Sequence, residues 1–200
     1  MRRLLVIALV VAACSPPEGS ADLDLVSTTT TSTSTTSTSV TAPESTTTTQ
    51  GPDFAVTSPA FDDGEAIPAE HTCDGIDASP ELRIAGLPEM TQSITVIVDD
   101  REAPLGTWDH WVEFDIPAEP GSFRIPRGGD DLGLDGINSW HLPGYMGPCP
   151  PDDREHRYYF TVFALRSPLG LPAGVDSTQV YEAMEPDVID SVTLMGTYGR

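Results

Sequence analysis

Apolar residues in this chain fall into short runs, and three of the runs read as strands. Residues 93–99 (Ser-Ile-Thr-Val-Ile-Val-Asp) carry the strongest signal, a nearly continuous stretch rich in β-branched side chains that predicts a strand buried on both faces. Residues 110–116 and 157–165 are the second and third, and weaker signals occupy 54–58, 82–84 and 192–198. Gly, Pro and Asp punctuate these runs, which is the pattern of a β-rich domain. Helical spacing occurs once, over 176–184, where Val180, Tyr181 and Met184 share a face, Asp176 or Ser177 supplies the cap and Pro186 stops the helix. A short second turn of helix fits 187–190. No internal repeat is visible.

The first 52 residues break the pattern. Two arginines, Arg2 and Arg3, precede ten apolar residues and then Cys14. This is a charged region, a short hydrophobic region too brief to span a bilayer, and a processing site. The Val11-Ala12-Ala13-Cys14 stretch resembles the lipobox of bacterial lipoproteins. That resemblance implies cleavage after residue 13, a lipid on Cys14, and an exported protein anchored to the outer side of a cell membrane. An ordinary secretory peptide cut nearby is the competing reading. From 27 to 49, nineteen of twenty-three residues are Ser or Thr, which cannot bury enough apolar surface to offset the entropy of ordering. The expected organisation is a lipoprotein signal peptide over 1–13, a lipidated cysteine with a disordered tether over 14–52, and one folded domain over 53–200. The tether's composition suits an O-glycosylated stalk and a plain linker equally.

Composition narrows the function classes. Asp and Glu number 31 against 10 basic residues, all of them Arg, for a formal charge of −21. Neutralising nucleic-acid phosphates needs a basic face, so a nucleic-acid partner is not expected. Three cysteines, an odd count, require an account for each thiol.

Four groups of residues carry candidate chemistry. They are the acidic loop from Asp99 to Pro104 after the strongest strand; His110-Trp111-Val112; the turn Gly136-Ile137-Asn138-Ser139-Trp140; and the stiff turn Gly144 to Pro151, followed by His156-Arg157-Tyr158. Phe61-Asp62-Asp63-Gly64, Ile67-Pro68, His71-Thr72-Cys73-Asp74-Gly75, Ser79-Pro80, the acidic loop, His110-Trp111-Val112, the Gly147-Pro148-Cys149-Pro150-Pro151 turn and His156-Arg157-Tyr158 resemble, in order, the phosphatidylethanolamine-binding protein family, in its bacterial Raf kinase inhibitor-like (YbhB/YbcL) branch.

The resemblance implies a mainly β fold, a sandwich of two antiparallel sheets with one or two short C-terminal helices. It also implies a small pocket for an anion or a phosphorylated headgroup. Carried over residue by residue, the ligand-binding set is Asp100, Glu102, His110, Gly147, Pro148, Cys149, His156 and Tyr158. Three positions depart from the family pattern. Arg101 stands where the acidic motif has Pro, Glu102 where it has its second Asp, and Asp115 where an Asn follows the strand His. These departures bear on the loop's position and on ligand preference more than on fold.

The residues themselves allow the same reading. Two imidazoles, a phenol and turn amides offer an oxyanion several donors, and a carboxylate beside an imidazole raises its pKa. The acids repel an anion unless they serve the histidines, bind a ligand ammonium or are protonated. The plainer alternative makes His110 and His156 ordinary strand-end residues satisfied by carbonyls. With Cys14 assigned to lipid, Cys73 and Cys149 remain for a disulfide in an oxidising compartment. Cys149 as a nucleophile beside His156 is the alternative. The expected function is non-catalytic binding of a small anion or phospholipid-type headgroup, with no cofactor and no metal. An inhibitor or regulator of another protein, of unknown identity, is the second reading. A hydrolase using pocket His and Ser139, or a metal held by His110, His156 and Asp100, is the third.

Overall fold

The computed structural model describes residues 53–129, 131–152 and 154–200, so the signal peptide, Cys14 and the tether lie outside the described residues. In chain order the elements are β1 (Ala55–Thr57), a 3-10 turn (Ala69–His71), β2 (Leu82–Leu87), β3 (Ser93–Asp100), β4 (Trp108–Pro117), β5 (Gly121–Ile125), β6 (Leu134–Asp135), β7 (His156–Leu165), α1 (Ser177–Met184) and β8 (Val188–Tyr198). They form a three-stranded sheet, ordered β1-β2-β5, and a five-stranded sheet, ordered β6-β4-β3-β7-β8, with every strand pair antiparallel.

Strand β3 is central and buried at every residue, as its uninterrupted apolar run predicts. Ile94, Val96 and Val98 enter one core cluster with Val56, Leu82, Ile84 and Ile125 of the smaller sheet. Ile97 enters a second cluster with Val112, Phe114, Leu165, Val180 and Met184. The first cluster is the filling of the sandwich, and the second seats α1 on the outer face of the larger sheet. Each such side chain, fully buried, is worth about 1.5–3 kcal/mol, so both faces of β3 hold the molecule together.

The N-terminus of α1 is closed by a capping box. The Asp176 carboxylate accepts the Gln179 N–H at 3.0 Å, and the Gln179 side-chain oxygen accepts the Asp176 N–H at 3.3 Å. The second helical turn expected at 187–190 does not form. Val188 and Asp190 pair with Leu165 and Ala164 of β7, and the Asp187 carbonyl takes the Arg166 N–H at 3.0 Å. An isolated turn of helix gains one hydrogen bond for three fixed residues, whereas this segment extends an existing ladder. The fold therefore has a single α-helix among the described residues, not two.

Two irregularities interrupt the β3–β4 pairing. Register shifts between Ile94 and Val96 and again between Val98 and Asp99. Opposite Val98 lies Trp111 and opposite Asp99 lies Asp109, which leaves His110 as the extra residue of a bulge. The other bulge contains Asp115, at φ 55°.

Candidate ligand-binding site

The order β4-β3-β7 brings three strand ends together, with Asp100 opposite Trp108 on one side and Tyr158 on the other. A bulge re-aims a side chain, and the one at His110 lets this residue join them. Together with Trp140, Cys149, Pro151 and the loop 103–105, these residues wall a cavity of about 410 Å³.

His110 is buried, and its Nδ1–H donates to the Met146 carbonyl at 2.6 Å and the Gly147 carbonyl at 3.2 Å. Burial pushes its pKa below the ordinary histidine value despite those carbonyls and the nearby Asp100. The neutral ring then presents Nε2 as an acceptor. Tyr158 is fully buried, and its hydroxyl has no protein partner. The same is true of the Trp108 indole N–H. Burial drives the Tyr158 hydroxyl upward, so it remains a proton donor.

The rim that carries the Met146 and Gly147 carbonyls is fastened to the loop 71–78 at four points. Tyr145 donates its hydroxyl to the His71 carbonyl at 2.7 Å, and the Gly147 N–H donates to the Asp77 carboxylate at 2.8 Å. The Cys73 N–H donates to the Pro148 carbonyl at 3.2 Å, and a disulfide joins Cys73 to Cys149. A Cβ on Gly147 would collide with the His71 carbonyl, so this close approach requires glycine.

Asp100 is held from two directions. One carboxylate oxygen accepts the Glu102 N–H at 2.8 Å, and the other lies 2.7 Å from His156 Nδ1. His156 Nε2 meets Asp152 at 3.1 Å. Burial acts to lower the His156 pKa, and the Asp100 and Asp152 carboxylates together outweigh it, so the net shift is upward. His156 thus stands behind Asp100 as its partner and does not line the cavity.

Glu102 is also absent from the lining. Its carboxylate takes the Arg157 N–H at 2.9 Å and the Arg157 guanidinium at 2.7 Å. Hydrogen bonding to Arg157 keeps that carboxyl below its usual range, with burial opposing. Arg101, in the place of the family's proline, pairs with Asp99 at 2.8 Å, and its guanidinium sits 4.3 Å from the Tyr159 ring centroid. The loop is secured by these pairs and by the Asp100 turn instead of by proline's fixed φ. Asp115 lies outside the lining too, and its carboxylate accepts the N–H groups of Leu169 and Gly170 at 2.5 and 3.0 Å.

Of the residues expected from sequence, Asp100, His110, Cys149 and Tyr158 line the cavity. Gly147 and Pro148 back its rim through their carbonyls. Sequence reasoning missed Trp108, Leu105 and the positioning residue Asp77, and treated Asn138 and Trp140 only as parts of a turn. The buried Asn138 side chain accepts the N–H groups of Trp140 and Leu142 at 3.0 and 3.2 Å and donates to the Gly144 carbonyl at 3.2 Å, which sets where Trp140 stands. Cys149, in its disulfide, has no thiol to act as a nucleophile. The Ser139 hydroxyl accepts the Asp109 N–H at 2.9 Å and lies outside the lining. Among the described residues, no group of three or more His, Cys, Asp or Glu side chains is arranged to hold a metal ion.

The sequence model of the phosphatidylethanolamine-binding protein family matches residues 57–199. A UPF0098 protein of Pyrococcus abyssi is 39% identical over 159 residues, covering 75% of this chain and 88% of its own length. Among solved structures, a phosphatidylethanolamine-binding protein homologue from Chlamydia trachomatis superposes with a TM-score of 0.69 at 34% identity, over 74% of this chain and 97% of its own. YbcL of E. coli, described as a new member of the mammalian family, superposes with a TM-score of 0.68 at 28% identity, over 74% and 99%.

Proposed function

Because the chain belongs to the phosphatidylethanolamine-binding protein family, we propose that it binds a phosphorylated ligand of the phospholipid-headgroup type, without turnover, in the cavity between Asp100, His110 and Tyr158. The observation that carries this reading is the pair of buried donors left unpartnered in two cavity-lining residues, the Tyr158 hydroxyl and the Trp108 indole N–H. An unmatched buried donor costs about 1–3 kcal/mol, and a phosphoryl oxygen recovers that cost on both. His110 Nε2, an acceptor, and the Asp100 carboxylate in the same lining take the ammonium end of such a headgroup.

Among the described residues, Cys149 is held in the disulfide and Ser139 lies outside the lining, which supports binding over hydrolysis by either of them. The Cys73–Cys149 disulfide supports an extracytoplasmic address, in keeping with a lipid anchor at Cys14. Titration calorimetry with phosphoethanolamine tests the site. His110→Ala and Tyr158→Phe are each expected to weaken binding about tenfold, since a hydrogen bond to a charged group is worth about 1.5–3 kcal/mol. Unchanged affinity in both variants would remove the assignment.

A further inference from the structure

The two sulfurs of the rim disulfide stand in different surroundings. Cys149 belongs to the turn stiffened by Pro148, Pro150 and Pro151, and it lines the cavity. Cys73 lies across from it in the loop 71–78 and is outside the lining. Neither residue is fully buried, which leaves the bond within reach of a small thiol.

A guanidinium marks one sulfur only. Cys73 Sγ accepts an N–H from Arg200 at 3.1 Å, whereas among the described residues no hydrogen bond reaches the Cys149 sulfur. Asp74 places the Arg200 side chain, accepting from it at 3.0 and 3.1 Å and from the Tyr198 hydroxyl at 2.6 Å. Tyr198 ends β8 and pairs with His156 at the start of β7, so the larger sheet fixes this contact.

This asymmetry has a chemical consequence. A thiolate opens a disulfide by attacking one sulfur and expelling the other, and the better-stabilised thiolate leaves faster. A cationic donor stabilises a thiolate, so Cys73 is the leaving group and Cys149 the sulfur attacked. The Asp74 charge opposes this, but its oxygens are engaged by Arg200 and Tyr198, while the guanidinium touches the sulfur itself.

We propose that Cys73–Cys149 is a thiol–disulfide exchange site, opened by a dithiol reductant that reaches Cys149 through the cavity. The reductant's first thiolate bonds to Cys149 Sγ, and the electron pair of the S–S bond leaves on Cys73 beside Arg200. The second thiol then bonds to the first sulfur and releases Cys149. The reductant ends as a disulfide, and its two electrons and two protons end on the two cysteines. Exchange controls the rim. Tyr145–His71, Gly147–Asp77 and Cys73–Pro148 hydrogen bonds still hold it to the loop 71–78, while Cys149 is freed to move out of the cavity wall. This control rests on the cavity being the ligand site, and it is reciprocal: a ligand that prefers the closed rim protects the bond.

The test follows opening by dithiothreitol in the full chain, with alkylation of Cys73 and Cys149 read by peptide mass. Arg200→Gln is expected to slow opening about fivefold or more, through loss of the donor to the leaving sulfur. Arg83→Gln, which removes the same charge from β2, is expected to change the rate by less than about 1.5-fold. With 2-mercaptoethanol, a monothiol, the mixed disulfide is expected on Cys149. Saturating phosphoethanolamine is expected to slow opening about threefold or more, and the reduced, folded protein to bind it about fivefold more weakly, with recovery on reoxidation. Equal rates in Arg200→Gln and Arg83→Gln, or an adduct on Cys73, would overturn the exchange site. Equal affinity of the oxidised and reduced forms, or unfolding on reduction, would overturn its control of the rim. Phosphoethanolamine binding to neither form would remove the proposed function, and the Arg200→Gln rate and the adduct position would then decide the exchange site alone.

Discussion

Asp100 Oδ2 and His156 Nδ1 lie 2.7 Å apart, with the two residues only 3% and 1% exposed. Taking a paired charge out of water is costly, and removing one partner leaves the other uncompensated. The pair therefore fixes the back wall of the cavity from β3 to β7 and links it to solution pH.

That link has a sign. The raised His156 pKa means its contribution is fully present below the ordinary histidine value and is lost as pH rises through the raised one. His110 is shifted the other way by burial, so its unfolded form gains protons first and stability falls as pH drops below about 6.5. Urea unfolding followed from pH 5.5 to 8.5 is expected to show maximum stability near pH 6.5. His156→Gln is expected to flatten the alkaline limb and to cost about 3–5 kcal/mol below it. A profile in His156→Gln parallel to the parent's would contradict this role for the pair.

The disulfide spans a sequence separation of 76 residues. Constraining a loop of that length in the unfolded chain is worth about 4 kcal/mol in the chain-entropy treatment. The double variant Cys73→Ser, Cys149→Ser is expected to lose about that much in urea unfolding. It is also expected to bind phosphoethanolamine more weakly, because Cys149 forms part of the cavity wall. Full retention of stability would show that the remaining fastenings of the rim suffice.

Asp115 is expected to matter for stability and not for ligand. It adopts φ 55°, a conformation that Asp and Asn tolerate better than other side chains, and its carboxylate satisfies two backbone N–H groups in the loop after β7. Asp115→Ala is expected to cost about 2–3 kcal/mol through strain and lost hydrogen bonds, with headgroup affinity unchanged. A selective loss of affinity in a stably folded variant would place Asp115 at the site after all.

Much of this architecture is legible in the chain because burial leaves a strong trace. β3 shows an uninterrupted β-branched run since both of its faces are covered, and β7 shows a nearly continuous aromatic and apolar run with buried residues on both faces. β5 and β6 leave little trace, because one is a five-residue strand starting at Gly121 and the other has two residues. The 187–190 segment looks helical in isolation, and only its distant partner in β7 decides otherwise. The site divides similarly. Asp100, His110 and Tyr158 are legible from ordered motif blocks, whereas Trp108 and Trp140 meet only through the bulge in β4 and the turn set by Asn138. Neither the bulge nor the turn's destination has a local signature.

Glu102 provides a check on that division. Sequence places it in the pocket, and the structure places it on Arg157 outside the lining. Glu102→Ala is expected to leave phosphoethanolamine affinity within twofold in calorimetry, since an exposed ion pair contributes little. A tenfold loss would return Glu102 to the binding set.

The most direct measurement is a crystal structure of the protein soaked with phosphocholine. The ligand is expected in the cavity beside Asp100, with a phosphoryl oxygen within hydrogen-bond distance of the Tyr158 hydroxyl. Phosphocholine bound at another surface, or a cavity left unfilled at saturating ligand, would contradict the assignment of this cavity as the binding site.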